Sequence, residues 1–266
     1  MSKITNEFRR EWEDWRKLLG ALAESSSSIL ICPDQWHIKF IEEEQDGVEV
    51  LKISLPFPIC FYSVPEKQKN NGTHLSGKKM AIFIDGTFEL IIANDSAQLR
   101  NISSLAAFYR IRSGEGGNKS LELADAYHFD FFKEDVKKSS PHPIFHAQRS
   151  IRLTATGGFK ETLAQKTVTS KVDITEVTVE DKGELFDLGS FRIPTPQMDL
   201  LNLGAAIAGN QLVGSGNSAQ WNHFNKLLSN LHDPHNDLHS IQIPNGHNAK
   251  IFTPPRKHLA DWYSFP

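Results

Sequence analysis

Over residues 4–22 the apolar side chains Ile4, Phe8, Trp12, Trp15, Leu18, Leu19 and Leu22 recur every three or four positions, with Glu7, Arg9, Arg10, Glu11, Glu13 and Asp14 in the intervals. That period puts the large side chains on one stripe and predicts an amphipathic helix over 1–24. Ser2 or Thr5 is its expected cap, and the four serines 25–28 end it. The period then falls to two. WHIKFIEE and VEVLKISL flank Gln45-Asp46-Gly47, and KMAIFI and TFELIIA flank Asp85-Gly86. Asp-Gly between β-type runs predicts a type I′ hairpin at each place. SGEGGNKS supplies a third turn, between SLAAFYRIR and LELADAYHFDFF, and the polar insert before PIFHAQ a fourth. Further alternating runs are SIRLTAT, KTVTSKVDITEVTVE and LGSFRI, while Pro65 to Lys79 has the composition of a loop.

The last quarter returns to the helical period. Thr195-Pro196 is a helix start, threonine as cap and proline at the first helical position. This helix is expected to reach Ala208 with Met198, Leu201, Ala205 and Ala208 on one side, and Gly204 and Gly209 signal close packing. A second helix is expected from Ser218, turning Trp221, Phe224, Leu228 and Leu231 inward. Successive hairpins imply antiparallel pairing. The expectation is one α+β domain over 1–266: N-terminal helix 1–24, antiparallel β region 28–194, helical pair 195–231 and irregular tail 232–266, with the helices packed on the sheet.

Composition narrows the function classes. Hydrophobic residues at 39% and 17 phenylalanines suffice for a packed core. With 29 basic against 32 acidic side chains the net charge is −3, which argues against a protein built to grip nucleic-acid phosphates. The lysine pairs at 67 and 69, 78 and 79, and 137 and 138 fall in loop-like sequence. Cys32 and Cys60 sit in apolar runs and form neither a disulfide framework nor a zinc spacing. The first fifteen residues are too charged for a signal peptide, and no apolar run approaches the roughly 20 residues of a membrane span. These features predict a cytoplasmic protein without a membrane partner.

Candidate chemistry concentrates in Tyr127 to Gln148, YHFDFFKEDVKKSSPHPIFHAQ. Read as two strands, the segment turns Tyr127, Phe129, Phe131, Phe145 and Ala147 to the core. The opposite face receives His128, Asp130, His142, His146 and Gln148. With the loop centred on Lys137, His128 stands across from His146 and Asp130 lies diagonal to it. Two imidazoles and a carboxylate can hold a divalent metal such as zinc, with His142 as a further ligand. Alternatively, Asp130 orients a histidine as general base, with His128, Asp130 and His146 as the catalytic set. The competing expectation is a structural polar patch under the C-terminal helices. A second cluster, HDPHNDLH, offers His235 and His239 as ligands, although Pro234 forbids one continuous helical face there. No G-x-S-x-G elbow, P-loop or Rossmann glycine pattern is present.

Two functions follow. The first is a non-enzymatic accessory subunit of a bacterial cytoplasmic multi-protein assembly, meeting its protein partner through the aromatic N-terminal helix or the tail DWYSFP. The second is a metal-dependent hydrolase of the phosphoester type, using the His/Asp cluster at 127–148.

Overall fold

A computed structural model describes residues 3–26, 28–30, 36–67, 74–93, 96–113, 119–132, 146–149, 179–180, 193–194, 200–214 and 217–231. Its frame is an antiparallel sheet with helices on one face, an α+β arrangement. Helix α1 spans Lys3–Ser25. Thr5 therefore lies inside the helix, buried, and is not its cap. The serines do end it: Ser25 Oγ donates to the Leu22 carbonyl at 2.7 Å and Ser26 Oγ to that of Ala23 at 2.8 Å. Those bonds satisfy carbonyls that a further helical turn would have used.

The strands are β1 (Ile29–Leu30), β2 (Lys39–Gln45), β3 (Val48–Ser54), β4 (Ile59–Lys67), β5 (His74–Ala93), β6 (Ser96–Ser113), β7 (Lys119–Phe132), β8 (His146–Arg149), β9 (Val179–Glu180) and β10 (Ile193–Pro194). The main path runs β1-β4-β5-β6-β7-β8-β10. The hairpin β2–β3 lies beside β5, and β9 pairs with β7 in parallel. At Asp46 and Gly47 the expected tight turn forms, with φ of 54° and 74°. Both left-handed values are what a type I′ hairpin requires.

The second Asp-Gly is not a turn. β5 runs straight through Asp85 and Gly86, and the chain reverses nine residues later, between Ala93 and Ser96. What happens at Asp85-Gly86 is a change of neighbour: β4 pairs with β5 up to Ile84, and β3 pairs with it from Thr87 onward. The Gly86 amide, facing this break, is bonded instead by Asp85 Oδ1 at 2.8 Å. A Cβ on Gly86 would stand 3.2 Å from the Ser103 carbonyl and 3.3 Å from the Leu200 Cβ. The glycine serves close approach between sheet and helix. The expected loop at 65–79 is likewise mostly strand, since Pro65–Lys67 continue β4 and His74–Lys79 begin β5. Lys67, Lys78 and Lys79 are thus strand residues.

Helix α2 covers Leu200–Ile207, continues as a π-helical turn over Ala208–Leu212, and is followed by α3 over Ser218–Leu231. The Thr195-Pro196 start lies outside the described residues. Asn217 Oδ1 accepts from the Gln220 amide at 3.1 Å, the side-chain cap that starts α3. Residues 200–205 and Ile207 of α2 are buried and Ala206 is half-buried, as befits a helix with almost no polar face. It contacts β5, β6 and α3. Gly204 and Gly209 meet the expectation of close packing: a Cβ on the first would fall 2.4 Å from the Trp15 ring, and one on the second 2.5 Å from that of Phe224.

The core lies between this helical layer and the sheet. Trp12 and Trp15 stack at 5.2 Å between centroids, Phe8 meets Phe88 edge-on at 5.7 Å, and Trp12 Nε1 donates to the Trp36 carbonyl at 2.5 Å. The helix stripe that could have faced a partner is buried against the protein's own body. Among the described residues no helix is long and apolar enough to cross a membrane.

Candidate functional site

Side-chain alternation divides the sheet. Gly86, Phe88, Ile102 and Ser104 face the helices, as the approach of Leu200 to Gly86 shows. Their neighbours Asp85, Thr87, Ser103 and, across β7, His128 and Asp130 belong to the other face. The polar patch is therefore on the face away from α2, not beneath the C-terminal helices as expected.

That face has two halves. At one end Cys60, Ala81, Phe83, Ala107 and Tyr109 are buried, with the Phe83 and Tyr109 rings 5.4 Å apart. At the other, Ser54, Thr87, Ser103 and Asp130 stand in one cross-strand row, beside a second row of Lys52, Glu89 and Asn101. Lys52 Nζ lies 3.7 Å from Glu89. Asp85 occupies the boundary, two positions from Phe83 and across from Leu105. Burial raises its carboxyl above the ordinary value, and the Gly86 amide, which favours the charged form, offsets this only in part.

Within the polar half three side chains stand in polar contact. His128 Nδ1 lies 3.1 Å from Asp130 Oδ2, and His128 Nε2 lies 2.8 Å from Ser103 Oγ. His128 and Asp130 are two residues apart on β7, so they share a face, and Ser103 on β6 is directly opposite Asp130. The Nδ1–H tautomer, which a carboxylate beside that nitrogen favours, leaves Nε2 to accept from the serine hydroxyl. The imidazole has a polar neighbour at each nitrogen yet remains 40% exposed.

β8 does pair with β7, but its register is not the expected one. His128 stands opposite Gln148, and Asp130 opposite His146. The displacement is two residues, an even step, so the pairing exchanges neighbours without exchanging faces. Tyr127, expected in the core, is 37% exposed, its hydroxyl bonded to Asp125 at 2.8 Å. Phe129 is half-buried and packs against the core as expected. The side chain of His146 and all of His142, His235 and His239 lie outside the described residues, so the metal set beyond His128 and Asp130 has no described geometry. Among the described residues no three His, Cys, Asp or Glu side chains gather as a metal site.

Ser103 carries no signal in its own surroundings, NISSLAAFYR. Only the register of β6 against β7 brings it to His128. No protein-family model matches the chain, and neither a curated protein nor a solved structure is similar to it.

Proposed function

We propose that the protein is a hydrolase in which His128 carries the proton. The observation that supports this is the placement of the imidazole: the Asp130 carboxyl beside Nδ1, a hydroxyl at Nε2, and enough exposure for a substrate to reach the ring. An oriented histidine that accepts a proton from a bound hydroxyl is the working part of general-base catalysis. Its contribution is roughly a hundred- to ten-thousandfold in rate. Both ring nitrogens already have partners, so the arrangement supports proton transfer more directly than metal ligation. The metal-dependent form needs Nε2 to leave Ser103 for the ion, with Asp130 holding Nδ1 from behind. The test is hydrolysis of activated carboxylic and phosphate esters by the wild type and by His128→Gln, with elemental analysis of the same samples. Loss of turnover in the variant without bound metal is expected. An unchanged rate overturns the reading, and a stoichiometric transition metal replaces it with the metal-dependent form.

A second reading, a non-enzymatic accessory subunit, is favoured by a different observation. Ser103 is paired on both sides, with Thr87 and with Asp130, so its strand has neighbours to take up its backbone amides. In that reading the Ser103–His128–Asp130 chain closes a polar surface and nothing more. With the tryptophan stripe buried, the partner contact falls to the tail at 232–266, outside the described residues. Co-purification with and without residues 232–266 tests it. Retained association by the shortened chain counts against the tail.

A further inference from the structure

We infer that Ser103 is a nucleophile, and that the substrate class is a carboxylic ester whose acyl group passes through Ser103 Oγ. This rests on the reading of His128 as the proton carrier and adds the attacking atom and the bond type.

The order of contacts carries the inference. A serine hydroxyl is a weak nucleophile until a base removes its proton as it attacks. Ser103 Oγ is 2.8 Å from Nε2, the nitrogen left free to accept when Asp130 fixes the proton on Nδ1. Carboxylate, imidazole and hydroxyl thus follow one another in the sequence that acyl-transfer sites on unrelated folds reach, recognised by geometry and roles. Each is set by the sheet: residues 128 and 130 by alternation on β7, residue 103 by the β6 register. Asp130 acts through His128 and is a positioning residue.

In the reaction, Ser103 Oγ forms a bond to the ester carbonyl carbon while its proton moves to His128 Nε2. The carbon–oxygen bond to the alcohol then breaks, and His128 returns the proton to the departing alkoxide. Water attacks the acyl-serine with the same proton exchange, releasing the carboxylic acid and restoring the hydroxyl. The transient oxyanion needs donors. On the same face, Thr87 stands opposite Ser103 and Asn101 lies two positions before it, and both are half-buried. Their hydroxyl and carboxamide are the candidate donors, since the strand amides are taken up by the ladder.

The test uses the full chain with p-nitrophenyl acetate, reading both acyl-protein by intact mass and peptide mapping and the release of nitrophenolate. The expected result is one acetyl group on Ser103, absent in Ser103→Ala and formed at least about a hundredfold more slowly in His128→Gln. Asp130→Asn should slow it and also change the His128 ¹⁵N signals from the Nδ1–H tautomer, a shift that lost packing alone would not produce. Near-UV circular dichroism checks that each variant is folded. Acetylation confined to lysines, or unaffected by His128→Gln, overturns the inference. Turnover that depends on His128 but persists in Ser103→Ala overturns it too, while leaving His128 as base for an attacking water. Turnover independent of His128 sinks both.

Discussion

At the residue scale two carboxyl groups are shifted in opposite directions. Asp85 is raised by burial, so the folded state holds its proton more tightly than the unfolded chain does. Its favourable contribution is complete below the unfolded value and is lost as pH rises through the folded one. Asp85→Asn keeps an oxygen for the Gly86 amide and removes the charge. Melting curves should show the variant gaining on wild type as pH rises through the raised folded value, and the two close together below the ordinary carboxyl value. Glu13 runs the other way. Burial raises its carboxyl, but the Arg16 hydrogen bond at 2.6 Å and charge, with His37 beside it, outweigh that and lower it. Glu13→Gln should therefore lose stability at neutral pH, with the difference vanishing as pH falls through the lowered value. A reader of the sequence alone reaches His128 and Asp130 by alternation but not Ser103. Between Phe108 and Tyr109 of β6, the partner strand β7 carries one extra residue. Counting from the Ser113–Lys119 pair without that bulge puts Ser104, not Ser103, on the face of His128. A one-residue irregularity decides which serine meets the imidazole.

Elements were legible where the period alone defines them and illegible where a distant partner does. The stripe of α1 and the Asp46-Gly47 turn needed only local sequence. Asp85-Gly86 has the same dipeptide and flanks, yet its glycine answers to α2, more than a hundred positions away. The π-helical turn after α2 had no sequence signal either. Contact distances give its neighbourhood a prediction. Alanine favours a helix over glycine by about 1 kcal/mol, but at 204 its methyl would penetrate the Trp15 ring. Overpacking of that kind costs about 1–3 kcal/mol, occasionally more, and outweighs the propensity gain. Gly204→Ala and Gly209→Ala should both lower the denaturation midpoint, whereas an alanine exchange that only raised helix propensity would increase it. Trp12→Phe probes the same layer: it strands the Trp36 carbonyl, which now accepts at 2.5 Å, at a cost of roughly 1–3 kcal/mol.

For the molecule as a whole, the decisive fact is that the two ends of the described chain form one layer. Gln220 on α3 donates from Nε2 to the Ser25 carbonyl at 3.0 Å and accepts the Gly214 amide through Oε1 at 2.8 Å. One side chain therefore joins the end of α1 to the turn before α3. Trp15 lies fully buried with Gly204 against its ring. The sheet between these ends cannot cover its inner face until α2 and α3 have been made. Leu200, Leu201, Leu203, Ile207, Leu212, Val213, Phe224, Leu227 and Leu228 are all buried there. At roughly 1.5–3 kcal/mol per large side chain, their gross contribution matches or exceeds the roughly 5–15 kcal/mol by which a domain is stable. A chain ending at residue 194 should therefore show no cooperative melt, bind hydrophobic dyes, and lose the near-ultraviolet signal of the stacked Trp12 and Trp15. Residues 195–266 added in trans should restore that signal. A cooperative transition in the shortened chain would mean that the sheet and α1 hold without their C-terminal cover, and that the polar face bearing Ser103, His128 and Asp130 is set by the strands alone.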